Sequence, residues 1–159
     1  ELDRFARQGR SFCLALAHIE GFEDMKLKHS NSEMHGYLRL IADLMKLSIR
    51  SFDDAYYMGE NEFVLCLKQT DVSGGIVALE RLREEMEKQN VTVENAKGEI
   101  EPLRLMCCVA EPFEGDNVNE VLNNLRNSLD EQDVKGNDSV LQYQEISPLQ
   151  RYMQESGSV

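Results

Sequence analysis

The residues of this chain able to do chemistry are few and widely spaced. Arg50 and Asp53 stand three apart in Arg50-Ser51-Phe52-Asp53, a spacing that by itself makes an ion pair of little worth on an exposed surface. Glu60, Asn61 and Glu62 crowd a tight turn that begins at Gly59. His18, His29 and His35 are the imidazoles. Their spacing matches no standard metal motif, so partly buried structural histidines are expected, with no metal and no cofactor. Cys13, Cys66, Cys107 and Cys108 lie in apolar runs without a CxxC or Cys/His pattern, which reads as buried, reduced thiols. Arg81, inside Glu80-Arg81-Leu82-Arg83, looks like one charge of a solvated helix face, and Lys26, Lys28, Lys46 and Lys68 look like solvated surface.

These groups must be positioned by strands and helices whose periods are visible. Ser11–Ala17 alternates and is β-rich, so a strand is predicted. Gly21 to Lys28 reads as a short helix or turn. Asn31 or Ser32 is placed to cap a helix from Glu33 to Ile49, with Met34, Leu38, Ile41, Leu44 and Met45 in helical period. Asp54–Met58 and Glu62–Leu67 flank the Gly59–Asn61 turn as a β-hairpin. Ser73–Gln89 and Val118–Val134 read as amphipathic helices. Val91–Val93 and Leu103–Ala110 read as strands around an Ala-Lys-Gly-Glu turn, and Val140–Tyr143 as a last short strand. Ser147 and Pro148 open a C-terminal helix, Ser at the cap and Pro in the first turn. Strands interleaved with helices around one hairpin predict an α/β (α+β sandwich) fold with a mixed sheet.

The 159 residues suit one domain, assigned here to residues 1–146, with 147–159 as a helix or linker towards a neighbouring domain. The chain starts at Glu1 without Met, as expected of a domain taken from a longer protein. A net charge of −12 argues against nucleic-acid or anionic-membrane contact, both of which need a basic footprint. It leaves room for a small anion held by a few arginines. Apolar runs such as Phe12–Ala17 are far short of a membrane span, and no signal peptide is visible, so a cytoplasmic location is expected.

The hairpin carries a resemblance. Tyr57-Met58-Gly59-Glu60-Asn61-Glu62-Phe63 resembles the Arg-Tyr-Gly-Gly-Asp/Glu-Glu-Phe signature of GGDEF domains, the bacterial diguanylate cyclases. Phe12 to Phe22 (FCLALAHIEGF) is similar to the family's first strand and its Asp-Ile-Asp-x-Phe. Ala78 to Arg83 is similar to its Ala-Glu-Arg-Leu-Arg helix, and Leu103–Ala110 takes the place of a later strand. The similarity runs over roughly residues 5–143 and implies a nucleotidyl cyclase or palm-like mixed sheet of about five strands with flanking helices.

Members of the family condense two GTP molecules into cyclic di-GMP with the help of divalent cations, which hold the phosphates and neutralise developing charge. By the resemblance, the first-strand Asp that ligates metal is His18 here, and the acidic third residue of the signature is Asn61. Mg²⁺ prefers hard oxygen ligands, and an amide cannot act as a base near neutral pH. The second Gly, which lets the triphosphate approach, is Glu60. The guanine-binding Asn and Asp fall at Lys26 and His35, and the phosphate-binding positions at Glu23, Asp133 and Asn137. The resemblance with these losses implies a domain that is not an enzyme. A cyclase with unusual metal use is the contrary reading, tied to Glu62.

The family's inhibitory site, an Arg-x-x-Asp, survives. Its Arg and Asp precede the first signature Gly by nine and six residues, which here are Arg50 and Asp53 before Gly59. A third family arginine on the following helix matches Arg81. Arg can donate twice to guanine O6 and N7, a carboxylate can accept from the N1–H and N2–H₂ edge, and Arg81 can take phosphate. The resemblance thus implies a cyclic di-GMP receptor at Arg50, Asp53 and Arg81, signalling to other domains of its chain, a partner protein or a second copy. The alternative is a nucleotide-independent interaction or dimerisation module.

Overall fold

The computed structural model describes residues 12–112, 116–135 and 141–142. In chain order the elements are β1 (Phe12–Ile19), α1 (Phe22–Lys28), α2 (Asn31–Ser48), β2 (Asp54–Gly59), β3 (Glu62–Lys68), α3 (Val72–Lys88), β4 (Thr92–Glu94), β5 (Ile100–Pro102), β6 (Leu105–Ala110), α4 (Val118–Lys135) and β7 (Leu141–Gln142). Five strands form one sheet in the order β2-β3-β1-β6-β7. β1 runs antiparallel to both β3 and β6, and β7 runs parallel to β6. The mixed α+β fold expected from the sequence is therefore observed.

β1 is central because it is apolar on both faces. Cys13, Ala15, Ala17 and Ile19 face one layer, where Ile41, Leu44 and Met45 of α2 and Leu79, Leu82 and Met86 of α3 close the core. Phe12, Leu14 and Leu16 face the other, covered by Val121, Leu122, Leu125 and Leu129 of α4. The period-2 side chains of one strand thus feed two cores. Gly75 lets α3 lie on β1, since a Cβ there would stand 2.5 Å from the Cys13 sulfur.

Most boundaries shift by a residue or two, and three of the differences have a structural reason. The cap of α2 is Ser30, which forms a full capping box with Glu33, so the helix starts before the predicted Glu33. The strand predicted from Leu103 begins at Leu105. The residues before it, Ile100–Pro102, pair instead with Thr92–Glu94 as a separate two-stranded ribbon, where Val91–Val93 was predicted. Ribbon residue Val93 is buried while β5 is wholly exposed, so burial gave β5 no hydrophobic pattern to read. The helix predicted from Ser147 and the boundary at 146 lie outside the described residues.

Candidate functional site

Arg50 and Asp53 come together at the end of α2. The helix stops at Ser48 with extended backbone at Ile49, and a turn closed by Asp53 N–H to the Arg50 carbonyl (3.0 Å) sets the two side chains face to face. Asp53 Oδ2 accepts from the Arg50 backbone N–H (3.1 Å) and Nε (3.0 Å). Oδ1 accepts from Arg50 Nη2 (3.2 Å) and the Lys68 backbone N–H (2.9 Å). The Asp53 side chain is only 2% exposed, whereas that of Arg50 is 46% exposed.

The orientation of the pair was not visible in the sequence. The carboxylate was expected to face a ligand; it is buried and already accepts four bonds, all from the protein. The outward-facing group is the guanidinium. Its Nη2 also lies within hydrogen-bond reach of the Lys68 carbonyl (2.7 Å) and Thr70 Oγ1, so its two hydrogens are shared among three acceptors, while Nη1 makes no hydrogen bond among the described residues. The guanidinium carbon lies 4.5 Å from the centre of the Phe52 ring, and Phe52 is 48% exposed. Phe52 and Thr70 were not singled out from sequence. A Phe within the Arg-x-x-Asp run was the signal for the first; Thr70 had none, because its part depends on the β3–α3 connection meeting Arg50, twenty residues earlier in sequence.

Arg81 is exposed on α3 and makes no hydrogen bond or ion pair among the described residues. It lies ten residues beyond Asp71, the α3 cap next to Thr70, or about 15 Å of helix axis. The fold does not bring it into contact with the Arg50–Asp53 pair.

The signature hairpin forms a second cluster. Gly59 and Glu60 both have left-handed backbone, φ 103° and 50°. His18 Nε2–H donates to Glu62 Oε1 (3.0 Å). Arg126 of α4 grips the same carboxylate with Nε to Oε1 (2.7 Å) and Nη2 to Oε2 (2.8 Å). Burial works to raise the Glu62 carboxyl, but the bonds from Arg126 and then His18 prevail and hold it below the usual carboxylate range. Asn61 Nδ2 donates to the Ile19 carbonyl (3.2 Å). Lys26 bridges Glu60 and Glu23, each at 3.1 Å. Arg126 was missed in the sequence, where its signal was a lone cation beside the apolar stripe of α4.

A divalent cation does not fit this donor set. His18 offers nitrogen, Asn61 turns its amide N–H to a carbonyl, and both Glu62 oxygens are held by the Arg126 guanidinium. Among the described residues no three His, Cys, Asp or Glu side chains gather to hold a metal. His35 is exposed, contrary to the partly buried role expected of it; His18 and His29 are partly buried as expected, 14% and 5% exposed at the side chain. The four cysteines are free and buried.

Residues 1–139 match the sequence profile of the family described as diguanylate cyclase, GGDEF domain. The chain belongs to the GGDEF domain family. No curated protein matches it in sequence. Among solved structures, this GGDEF domain resembles the GGDEF domain of FimX from Pseudomonas aeruginosa, at 23% identity, TM-score 0.73 and 89% coverage of each chain. It also resembles the GGDEF domain of DgcB from Caulobacter crescentus, solved with c-di-GMP, at 17% identity and TM-score 0.73, covering 89% of this chain and 82% of that one. Diguanylate cyclase SiaD of Pseudomonas aeruginosa, solved with its activator SiaC, matches at 23% identity and TM-score 0.74, over 89% of this chain. The GGDEF domain described here spans about half of SiaD, 53% of that chain. At these identities the likeness is one of fold. Among the described residues no helix is long and apolar enough to cross a membrane.

Proposed function

We propose that this chain is a catalytically inactive GGDEF domain that works in the cytoplasm as a cyclic di-GMP receptor through Arg50, Asp53 and Arg81. The observation that carries the reading is the half-exposed Arg50 guanidinium laid over the exposed Phe52 ring, with Asp53 fixing it from behind. A guanidinium stacked on an aromatic ring suits a purine, which can accept hydrogen bonds at the free guanidinium edge or stack on an exposed face of the pair. Asp53 reaches the base only by giving up bonds to Arg50, so binding exchanges an internal ion pair for ligand contacts. Arg81, some three turns along α3, serves the phosphates of a ligand large enough to span that distance. DgcB, a relative in fold, was solved with c-di-GMP.

Inactivity rests on the hairpin. The positions that the family resemblance gives to metal and nucleotide are His18, Glu60 and Asn61, and here they are spent on contacts within the protein. The domain is taken as residues 1–146, with 147–159 leading to a neighbouring domain or partner. Calorimetry with cyclic di-GMP on wild type, Arg50→Ala and Phe52→Ala tests the reading, alongside turnover of GTP with Mg²⁺ or Mn²⁺. Binding by wild type alone and no product are expected. Equal titrations for all three, or no heat with wild type, would remove the receptor, and product formation lost on Glu62→Gln would restore the enzyme.

A second reading, a nucleotide-independent interaction or dimerisation module, has one observation in its favour: the Asp53 carboxylate is saturated without any ligand. A domain blind to the nucleotide that still self-associates or captures a protein partner would select it. SiaD, solved with its activator protein, shows that a protein carrying this fold can have such a partner.

A further inference from the structure

His29 sits at the junction of α1 and α2 with both ring nitrogens occupied. Its Nδ1 lies 2.9 Å from Glu33 Oε2 and its Nε2 lies 3.0 Å from the backbone carbonyl of Glu94 on β4. A carbonyl can only accept, so Nε2 carries a proton. Glu33 is held ionised, because its carboxylate also accepts from the backbone and hydroxyl of Ser30 in the capping box, at a helix N-terminus that favours negative charge. Nδ1, facing that carboxylate, calls for a proton too, so both bonds are made together only when the ring is an imidazolium. Its side chain is 5% exposed, with the Tyr37 ring against it edge-on at 5.3 Å.

Val91, Val93 and Leu103 anchor the base of the β4–β5 ribbon in the core, but its outer end is lightly held. The ribbon belongs to no other sheet, and β5 is wholly exposed. Leu103 N–H to the Val91 carbonyl (3.1 Å) closes its base, and Lys28 reaches the Glu94 carboxylate at 3.3 Å across the surface. Between the ribbon and the start of α1 lies a cleft of about 520 Å³, bordered by Gly21, Asp24, Met25, Glu94 and Lys97.

We propose that His29 is a protonation-gated latch: as an imidazolium it fastens the outer end of the β4–β5 ribbon to the α1–α2 junction, and loss of the Nε2 proton, with Nδ1–H kept on the Glu33 carboxylate, releases the Glu94 carbonyl, loosens that end and widens the cleft beside it. The groups that face the ring are Glu33 and Tyr37 from α2 and Glu94 from β4, the last with Lys28 on its carboxylate. The bond to Glu33, and after it the bond to the Glu94 carbonyl, hold His29 above the ordinary histidine range. A raised value means that the latch is fully made below the ordinary histidine pKa and is lost as pH rises through the value His29 has in the fold.

The test is nitrogen-15 NMR of the histidine rings in the full chain from pH 5 to 9, with amide exchange of Asn95, at the outer end of the ribbon, over the same range. The expected result is a His29 that titrates above the ordinary histidine value and is doubly protonated below that titration. Ribbon exchange should gain a step across that titration of up to about tenfold per unit of raised pKa, beyond the intrinsic rise with pH. The β1 amides should show no such step, and His29→Gln should exchange fast at low pH with the step gone. His29 titrating at or below the ordinary value, ribbon exchange without a step in wild type, or the same step in His29→Gln would each overturn the latch. The wild-type titration decides the matter alone if the variant does not fold.

Discussion

Replacing Asp53 with Asn keeps the shape of the side chain but removes its charge and turns one acceptor into a donor. The native carboxylate accepts four bonds, two from the Arg50 side chain and one each from the backbone N–H of Arg50 and Lys68. An amide oxygen placed as Oδ1 keeps Lys68 N–H and Nη2. The amide nitrogen then faces Arg50 Nε and the Arg50 backbone N–H, donor against donor. Two bonds to a charged acceptor are lost, at about 1.5–3 kcal/mol each before correction. The half-exposed guanidinium recovers water for Nε, which removes most of one, while the backbone N–H has little access to water. The net cost is about 2–4 kcal/mol.

Arg50→Ala removes only side-chain bonds and leaves Asp53 with both backbone donors, so about 1–2 kcal/mol is expected. Urea unfolding at pH 7 measures both. Thermal unfolding of Asp53→Asn should fall by roughly 6–12 °C at about 3 °C per kcal/mol for a chain of this size. If Asp53→Asn lies within about 0.5 kcal/mol of wild type, or costs less than Arg50→Ala, the saturated carboxylate is not what holds this turn, and Asp53 is free for another role.

A double-mutant cycle on Glu62→Gln and Arg126→Ala should give a coupling of about 1–3 kcal/mol by urea unfolding, since the pair is bidentate and Glu62 is 13% exposed. Because the Glu62 pKa is lowered in the fold, its contribution is present above the ordinary carboxylate pKa and is lost as pH falls through the lowered value. Arg126→Ala should remove most of that loss, and an unchanged acid limb would count against it. Burial pushes the thiols of Cys13 and Cys107 up to about 12 and that of Cys66 to about 11. These three should react with a disulfide reagent at neutral pH only as fast as the chain unfolds, and rapid native labelling would contradict their burial. Gly75→Ala should destabilise by about 1–3 kcal/mol, because the new methyl meets Cys13 Sγ; a neutral result would mean that α3 lifts from the sheet without cost.

Periodicity alone separated strands from helices wherever an element is buried on a regular face. β1, β3, α2, α3 and α4 were legible for that reason, and so was the hairpin, whose turn residues follow backbone sterics. The β4–β5 ribbon was not, since β5 buries nothing and its register is set by a partner strand rather than by a pattern. The Arg50–Asp53 pair was legible as spacing at a helix end. Its orientation was not, because the Asp53 carboxylate is claimed by the Lys68 backbone, fifteen residues away in sequence.

Amino-acid order by itself determined which residues form the two apolar faces of β1, where the helices begin and end to within a few positions, and which charged groups are near neighbours along the chain. Those follow from local sterics and from hydrophobic period, both short in range. Only the tertiary structure decided that Arg126 answers Glu62, that His29 meets the carbonyl of Glu94, and that Asp53 turns inward while Arg50 turns out. Each of these is a choice of hydrogen-bond partner across distant segments. Burial makes that choice by leaving a polar group only the donors and acceptors that packing brings within reach.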